Sequence, residues 1–470
     1  MKKFGFYFGI LLFLVLVLWS PETSLSKNGF RTGMVALLMA VFWITEAIPV
    51  YATALFPLVL FPILSVSNIA EVSVSYSNPI IFLFLGGFFL ATGLESTNLH
   101  KRIAIHIILL FGDSKKSILL GFLIATMFIS MWVNNTSTAL MMLPIGTSVI
   151  LVLRVKERDI NFETSLMLFI AYGSSIGGLC TIIGTTPNVF LVGYLKQNFQ
   201  ITINFIDWLW IGLPIFIITI PVLYFLFTIF LFPIKNEERS SKEYLENELK
   251  LLGKFSIEQY MVTLVFLLVV FGWIFHPIIA KNFPIFTDAS ISMAGAVLLF
   301  ILPISFKEHR FLLDANSIHK IPWDSILLFG GGLSLANIAD KSGLASWIGV
   351  KLSSFTNLPE FVLVVIIITL VVFLTELTSN LATTAALLPV VSALATTMGV
   401  NQLLFTIPVT IAASCAFMFP VATPPNAIVY GSKMVDPKNM AKAGFILNLI
   451  YIVLITTVTY LIIIPVFKIR

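Results

Sequence analysis

Charge is scarce in this chain of 470 residues: Asp, Glu, Lys and Arg make up 11% of it, against 58% hydrophobic residues. A soluble protein of ordinary composition carries about a quarter of its residues as charge, so a soluble fold is excluded. Cysteine is scarcer still. Cys180 and Cys415 both fall inside apolar runs, so no disulfide framework is expected, and each is read as a small buried thiol. The apolar runs contain no His-Glu-x-x-His segment, no paired aspartates and no His/Cys cluster, which argues against a membrane-embedded enzyme. The net charge of +5 sits in short loops rather than in a patch or arm, so nucleic acid is not an expected partner. The ten-residue alternation of a membrane β-barrel is missing too.

What the chain has instead is a succession of apolar runs of 18 or more residues, each long enough to cross a hydrocarbon core of about 30 Å as a helix. Backbone polar groups in lipid must be satisfied within the segment, so the fold class is all-α and polytopic. The opening MKKFGFYFGILLFLVLVLWS has the charged start and apolar run of a signal peptide but no small-residue cleavage site after it, and is read as a retained first span. Spans are expected near 5–19, 31–49, 51–66, 77–97, 164–198, 205–233, 257–279, 286–305, 322–344, 402–434 and 440–467. The linker KNEERSSKEYLENELKLLGK within 234–256 reads as a solvated amphipathic surface helix.

Two stretches, 117–153 and 359–397, are too long for one crossing and too short on loop for two. Each has a central polar cluster, so each is expected to be a re-entrant hairpin of two half-helices whose tip lines a cavity. That leaves about eleven crossings. With the N-terminus in the cytoplasm, twenty of the 28 Lys and Arg residues fall on the cytoplasmic side, as the positive-inside rule requires. The C-terminus then lies outside, in a plasma (inner) membrane.

An internal repeat supports the same layout. FLGGFFLATGLESTNL at 84–99 matches FGGGLSLANIADKSGL at 329–344, and NNTSTALMMLP at 134–144 matches SNLATTAALLP at 379–389, both at an offset of 245. GTTPNVFLVG at 184–193 matches ATPPNAIVYG at 422–431 at an offset of 238. The matched residues are polar or helix-breaking, and a repeat with an odd number of crossings inserts its second copy upside down. The expected divisions are an extra helix in 1–30, a first inverted repeat over 31–233, the cytoplasmic linker 234–256 and a second repeat over 257–470.

The tips Asn135-Thr136 and Ser379-Asn380 place amide and hydroxyl groups at half-helix N-termini, which carry about +0.5 charge and attract anions. The loops Gly184-Thr185-Thr186-Pro187-Asn188 and Ala422-Thr423-Pro424-Pro425-Asn426 break their own spans, since proline removes a donor. Opposite carbonyls with Asn, Ser and Thr oxygens form the kind of cage that a hard cation such as Na⁺ prefers. One tip and one broken loop per half give two cation pockets beside a central anion.

The segment ASCAFMFPVATPPNAIVYG at 413–431 resembles the signature of the divalent anion:sodium symporter family, the dicarboxylate, citrate and sulfate carriers. TEAIP at 45–49, PWDSILLFGGG at 322–332 and both hairpin motifs are similar to the family as well. The resemblance implies an elevator-type homodimer in the bilayer, with a scaffold domain and a moving transport domain. It implies one sodium site on Ser130, Asn134, Asn135 and Gly184 and another on Thr375, Thr378, Asn380 and Ala422. Substrate carboxylates would meet Asn135, Thr136, Ser379 and Asn380, with Thr185 and Thr423 nearby. Sodium is then a transported ion, and the cargo a di- or tricarboxylate or sulfate. A cation-independent exchanger on the same fold is the alternative.

The family's tip motif is Ser-Asn-Thr in each half, whereas this chain reads Asn134-Asn135-Thr136 and Ser379-Asn380-Leu381. Leu381 replaces a hydroxyl with apolar bulk. Glu376, whose counterpart at the 245 offset is Met131, is read as structural rather than as a ligand. His276 is read as a hydrogen-bonded packing residue.

Overall fold

The computed structural model describes residues 2–19, 24–154, 158–235, 241–305, 307–352 and 358–469. Of the charges counted for orientation, Lys156 and Arg239 lie outside these. Helix dominates; a two-stranded antiparallel pair, Pro303–Ser305 with Arg310–Phe311, is a minor exception. Among the described residues, seven helices are long and apolar enough to cross a membrane, and Val50–Ile63, Asp288–Ile301, Glu360–Thr375 and Leu403–Ala413 are shorter apolar helices. Local sequence starts many of them. Side chains of Ser26, Asn78, Ser114, Asp159, Ser256, Thr287 and Asp436 accept from first-turn N–H groups, satisfying donors that a helix start leaves open.

The two long stretches are each a helix, a short turn and a second helix. The first hairpin is Lys115–Ser130 and Asn135–Arg154; the second is Glu360–Thr375 and Asn380–Met398. Adding 245 carries both ends of the first arm, and the start of the second arm, from one hairpin onto the other. The expected spans 164–198 and 402–434 are both broken, as Ile160–Leu179 then Thr186–Phe199, and as Leu403–Ala413 then Pro424–Gly431. Thr186 and Pro424 differ by the second offset, 238.

Two short helices, Leu99–Leu110 and Leu344–Lys351, lie outside the expected spans or at their ends. They start 245 residues apart, each after a left-handed residue, Asn98 at φ 56° and Gly343 at φ 80°. Their apolar runs are too short to register as spans, and glycine or asparagine suits the left-handed turn.

Burial runs inward toward the broken spans. Every residue from Phe162 to Leu179 is buried, as is all of Leu403–Ala413. By contrast, Phe205–Phe225 and Ile257–Asn282 expose Trp210, Leu213, Ile217, Leu264, Leu267 and Phe271, the apolar outer face that a bilayer requires.

The linker carries the expected surface helix, Lys242–Leu251, with Leu245 buried beneath it. It docks on Leu99–Leu110: Lys101 pairs with Glu248 at 2.9 Å, and Arg102 donates to the carbonyls of Leu252 and Gly253 at 3.0 and 2.8 Å. A second tie joins the halves. The Asp288 carboxylate accepts the Phe205 N–H at 2.9 Å and lies 3.0 Å from His276 Nδ1. His276 Nε2 lies 3.0 Å from the Phe286 carbonyl, which fits the hydrogen-bonded packing residue anticipated. The Phe205 ring sits between Trp273 and Trp132 of the first hairpin turn, with centroids 4.7 and 6.1 Å away.

Candidate substrate and cation site

Both hairpin tips and both span breaks meet at one cavity of about 660 Å³. All six residues expected to hold substrate, Asn135, Thr136, Thr185, Ser379, Asn380 and Thr423, line it. Of those expected to hold sodium, Asn134, Asn135, Gly184, Thr378, Asn380 and Ala422 line it too. Ser130 and Thr375 are fully buried behind the tips and reach the site through the neighbouring asparagines. Among the described residues the lining includes no lysine, arginine or histidine, while Glu46 and Asp324 do contribute to it.

The tips repeat one motif of oxygens. The Ser130 hydroxyl is 2.5 Å from the Ser174 carbonyl and 3.0 Å from Asn135 Oδ1. The Thr375 hydroxyl is 2.6 Å from the Ala413 carbonyl and 3.1 Å from Asn380 Oδ1. Each hydroxyl has one proton for two acceptors. Spent on the shorter bond, it leaves a hydroxyl oxygen and an amide oxygen about 3 Å apart with no hydrogen between them, an arrangement that a bound cation relieves.

In the first copy the oxygens gather around two glycines. A Cβ at Gly178 would lie 2.4 Å from Asn135 Oδ1 and 3.0 Å from the Gly184 carbonyl; a Cβ at Gly184 would lie 2.5 Å from the Gly178 carbonyl. At offset 238 the second copy has Ala416 and Ala422, so its approach is less tight. Gly178 was invisible to sequence reading because it precedes the recognisable Gly184-Thr185-Thr186-Pro187-Asn188 break.

Both breaks are bridged in the same way. Asn188 Nδ2 donates to the carbonyls of Thr181, Gly178 and Leu179 at 2.8, 3.3 and 3.4 Å; Asn426 Nδ2 donates to Phe419 and Ala416 at 3.1 and 3.2 Å. These amides take up carbonyls that a helix end leaves without partners. The supports behind them differ. In the first half Thr181 donates to the Met131 carbonyl at 2.6 Å and accepts from the Gly184 N–H at 3.0 Å.

In the second half Glu376 does that work. Its carboxylate, buried, accepts the N–H groups of Phe417 at 2.7 Å, Met418 at 3.0 Å and Phe419 at 3.4 Å, and Asn448 Nδ2 at 2.8 Å. Successive N–H groups of this kind form an anion nest. Donors occupy both oxygens, which suits the structural role expected of Glu376. The contribution of Asn448, 72 residues distant, carried no signal in the sequence.

The half-helix starts differ as well. Asn134 Oδ1 accepts the Ser137 N–H at 2.9 Å and so caps the first. Ser379 makes no side-chain cap bond at the second, leaving its side chain free at the cavity. Leu381 occupies the wall where the first copy has Thr136.

Residues 2–468 match the family described as the sodium:sulfate symporter transmembrane region. The chain belongs to this family. Among curated relatives, the sodium-dependent dicarboxylate transporter SdcS of Staphylococcus saprophyticus is 42% identical, covering 98% of this chain and 91% of that protein. SdcS of Staphylococcus aureus is 40% identical over 97% and 90%. The family and these relatives are transporters, not enzymes, and the sodium:sulfate symporter fold accounts for the apolar helices as parts of an integral multi-pass membrane protein. Solved structures share the fold at low identity. The MtrF antimetabolite efflux pump of Neisseria gonorrhoeae aligns at TM-score 0.59 and 11% identity, covering 96% of this chain and 98% of its own. The YdaH transporter of Alcanivorax borkumensis aligns at 0.57 and 13%, covering 83% and 86%.

Proposed function

We propose that this chain is a sodium-coupled symporter of a small di- or tricarboxylate, with sulfate the other candidate cargo. The observation that carries the reading is a cavity at the two hairpin tips with, among the described residues, no basic side chain in its lining. A multivalent anion held there needs positive charge from elsewhere. The starts of Asn135–Arg154 and Asn380–Met398 provide part of it as helix dipoles. Sodium provides the rest, at the oxygen pairs of Ser130 with Asn135 and Thr375 with Asn380, completed by Asn134, Gly184, Thr378 and Ala422. The relatives' names, which specify sodium and dicarboxylate, point the same way.

Two inverted repeats, about eleven crossings and two re-entrant hairpins make up the proposed membrane layout. The proposed layout puts Lys2 and the linker in the cytoplasm. Cargo then crosses by an elevator movement within a homodimer, the hairpins and broken spans travelling together against the remaining helices. Alternating access by rigid-body movement around a fixed site suits duplicated folds of this kind.

The test is uptake of labelled succinate, citrate and sulfate into proteoliposomes with Na⁺ outside. Symport predicts uptake that rises steeply with external Na⁺ and stops in choline. Counterflow that needs internal substrate and proceeds in choline would establish the exchanger instead.

A further inference from the structure

The two tips present unlike walls to one cargo. At position 136 the first half has a threonine at the cavity; its counterpart at offset 245 is Leu381, 4% exposed and part of the cavity lining. Phe84, Phe88 and Leu328 extend the apolar lining, and the rings of Phe84 and Phe88 are packed at a centroid distance of 4.0 Å. Charged ends of a dicarboxylate are served at both tips, by Asn135 with Thr136 and by Ser379 with Asn380. A substituent between those ends can meet the Thr136 hydroxyl at the first tip. At the matched position of the second tip it meets Leu381, since Thr378 is bonded to Thr383 and the Leu374 carbonyl, Thr423 caps the Asn426 N–H, and Ser379 is assigned to the carboxylate.

We propose that Leu381 gives the carrier a one-sided specificity: it takes a four-carbon dicarboxylate with at most one hydroxyl, turned toward Thr136. The inference rests on the dicarboxylate reading above. Succinate needs no partner between its carboxylates. Malate has one hydroxyl and can bind with that end at Thr136. Tartrate has a hydroxyl on each inner carbon, so one of them must lose water against Leu381 and gain nothing. A group desolvated without a partner is the costly case, and an apolar pocket rejects an added hydroxyl by at most about a hundredfold. Tartrate is therefore expected to bind about ten to a hundred times more weakly than succinate, with malate close to succinate.

The experiment is competition with labelled succinate by malate and by D-, L- and meso-tartrate, in proteoliposomes with saturating Na⁺. Leu381→Thr should improve tartrate inhibition about tenfold or more relative to succinate. Leu381→Val, which changes the side chain's volume without adding a hydroxyl, should not. Thr136→Leu should make malate behave as tartrate does in the wild type. Thermal unfolding of each variant without substrate separates loss of fold from loss of recognition. Tartrate competing as well as succinate in the wild type, or an unchanged ratio in folded Leu381→Thr, overturns the proposal. Failure of succinate itself to bind in Na⁺ would instead overturn the dicarboxylate reading.

Discussion

Gly178→Ala is the most direct probe of the proposed first cation pocket. The new methyl group would start 2.4 Å from Asn135 Oδ1, where ordinary contact begins near 3.4 Å. The amide oxygen must therefore retreat by about 1 Å, several times the ~0.2 Å latitude of a metal–ligand distance. Ser130 holds Asn135 from behind at 3.0 Å, and the same methyl group would also lie 3.0 Å from the Gly184 carbonyl, so the methyl cannot shift toward Gly184 to spare the amide. Losing one interaction with a charged group removes about 1.5–3 kcal/mol, or roughly ten- to hundredfold in sodium affinity at this pocket. Succinate uptake as a function of Na⁺ should show a raised half-saturating concentration and a shallower slope. Ala416→Gly, at the equivalent place in the second copy, removes a methyl group and should leave the sodium curve near wild type. A Gly178→Ala protein that folds, transports and keeps the wild-type sodium curve would refute the assignment of Asn135 and Gly184.

Glu376→Ala takes a common acceptor from three backbone N–H groups and the Asn448 amide; unfolding in detergent should show a loss above the ~1–3 kcal/mol of one buried group left unsatisfied, larger than for Asn448→Ala. Asp288→Ala leaves the Phe205 N–H without its acceptor and should cost about 1–3 kcal/mol in the same assay, with Asp288→Asn retaining most of the stability. Arg102→Ala should raise amide exchange across 242–254 tenfold or more, because the buried guanidinium holds the Leu252 and Gly253 carbonyls. Lys101→Ala, which breaks a partly exposed ion pair, should change that exchange little.

Much of this fold could be read before any coordinates, because its signals are local. Runs of apolar residues give helices, and Asn135-Thr136, Ser379-Asn380 and the two Pro-Asn breaks mark where helices stop. All twelve residues chosen for the site prove to be at the cavity or bonded directly to residues that are. What stayed hidden depends on through-space approach. Gly178 looks like any helical glycine until Asn135 arrives beside it. Thr181 and Asn448 each support a tip from a different element, and neither has a counterpart in the repeat, so the internal comparison could not mark them. The helices Leu99–Leu110 and Leu344–Lys351 fall outside the expected spans or at their ends for a different reason: their faces are mixed, and only docking against neighbours gives them a buried side.

The amides of Asn188 and Asn426 have a mechanical consequence. An interrupted span would ordinarily act as a joint, with its two pieces free to swivel and its loose carbonyls free to seek other partners. Here each interruption is cross-braced by a single side chain lying across the opening. Twisting one piece against the other means giving up bonds that have no water at hand to replace them. Each broken span is therefore better pictured as a strut with a window in it: backbone is laid open to the cargo through the window, while a push on one end still arrives at the other.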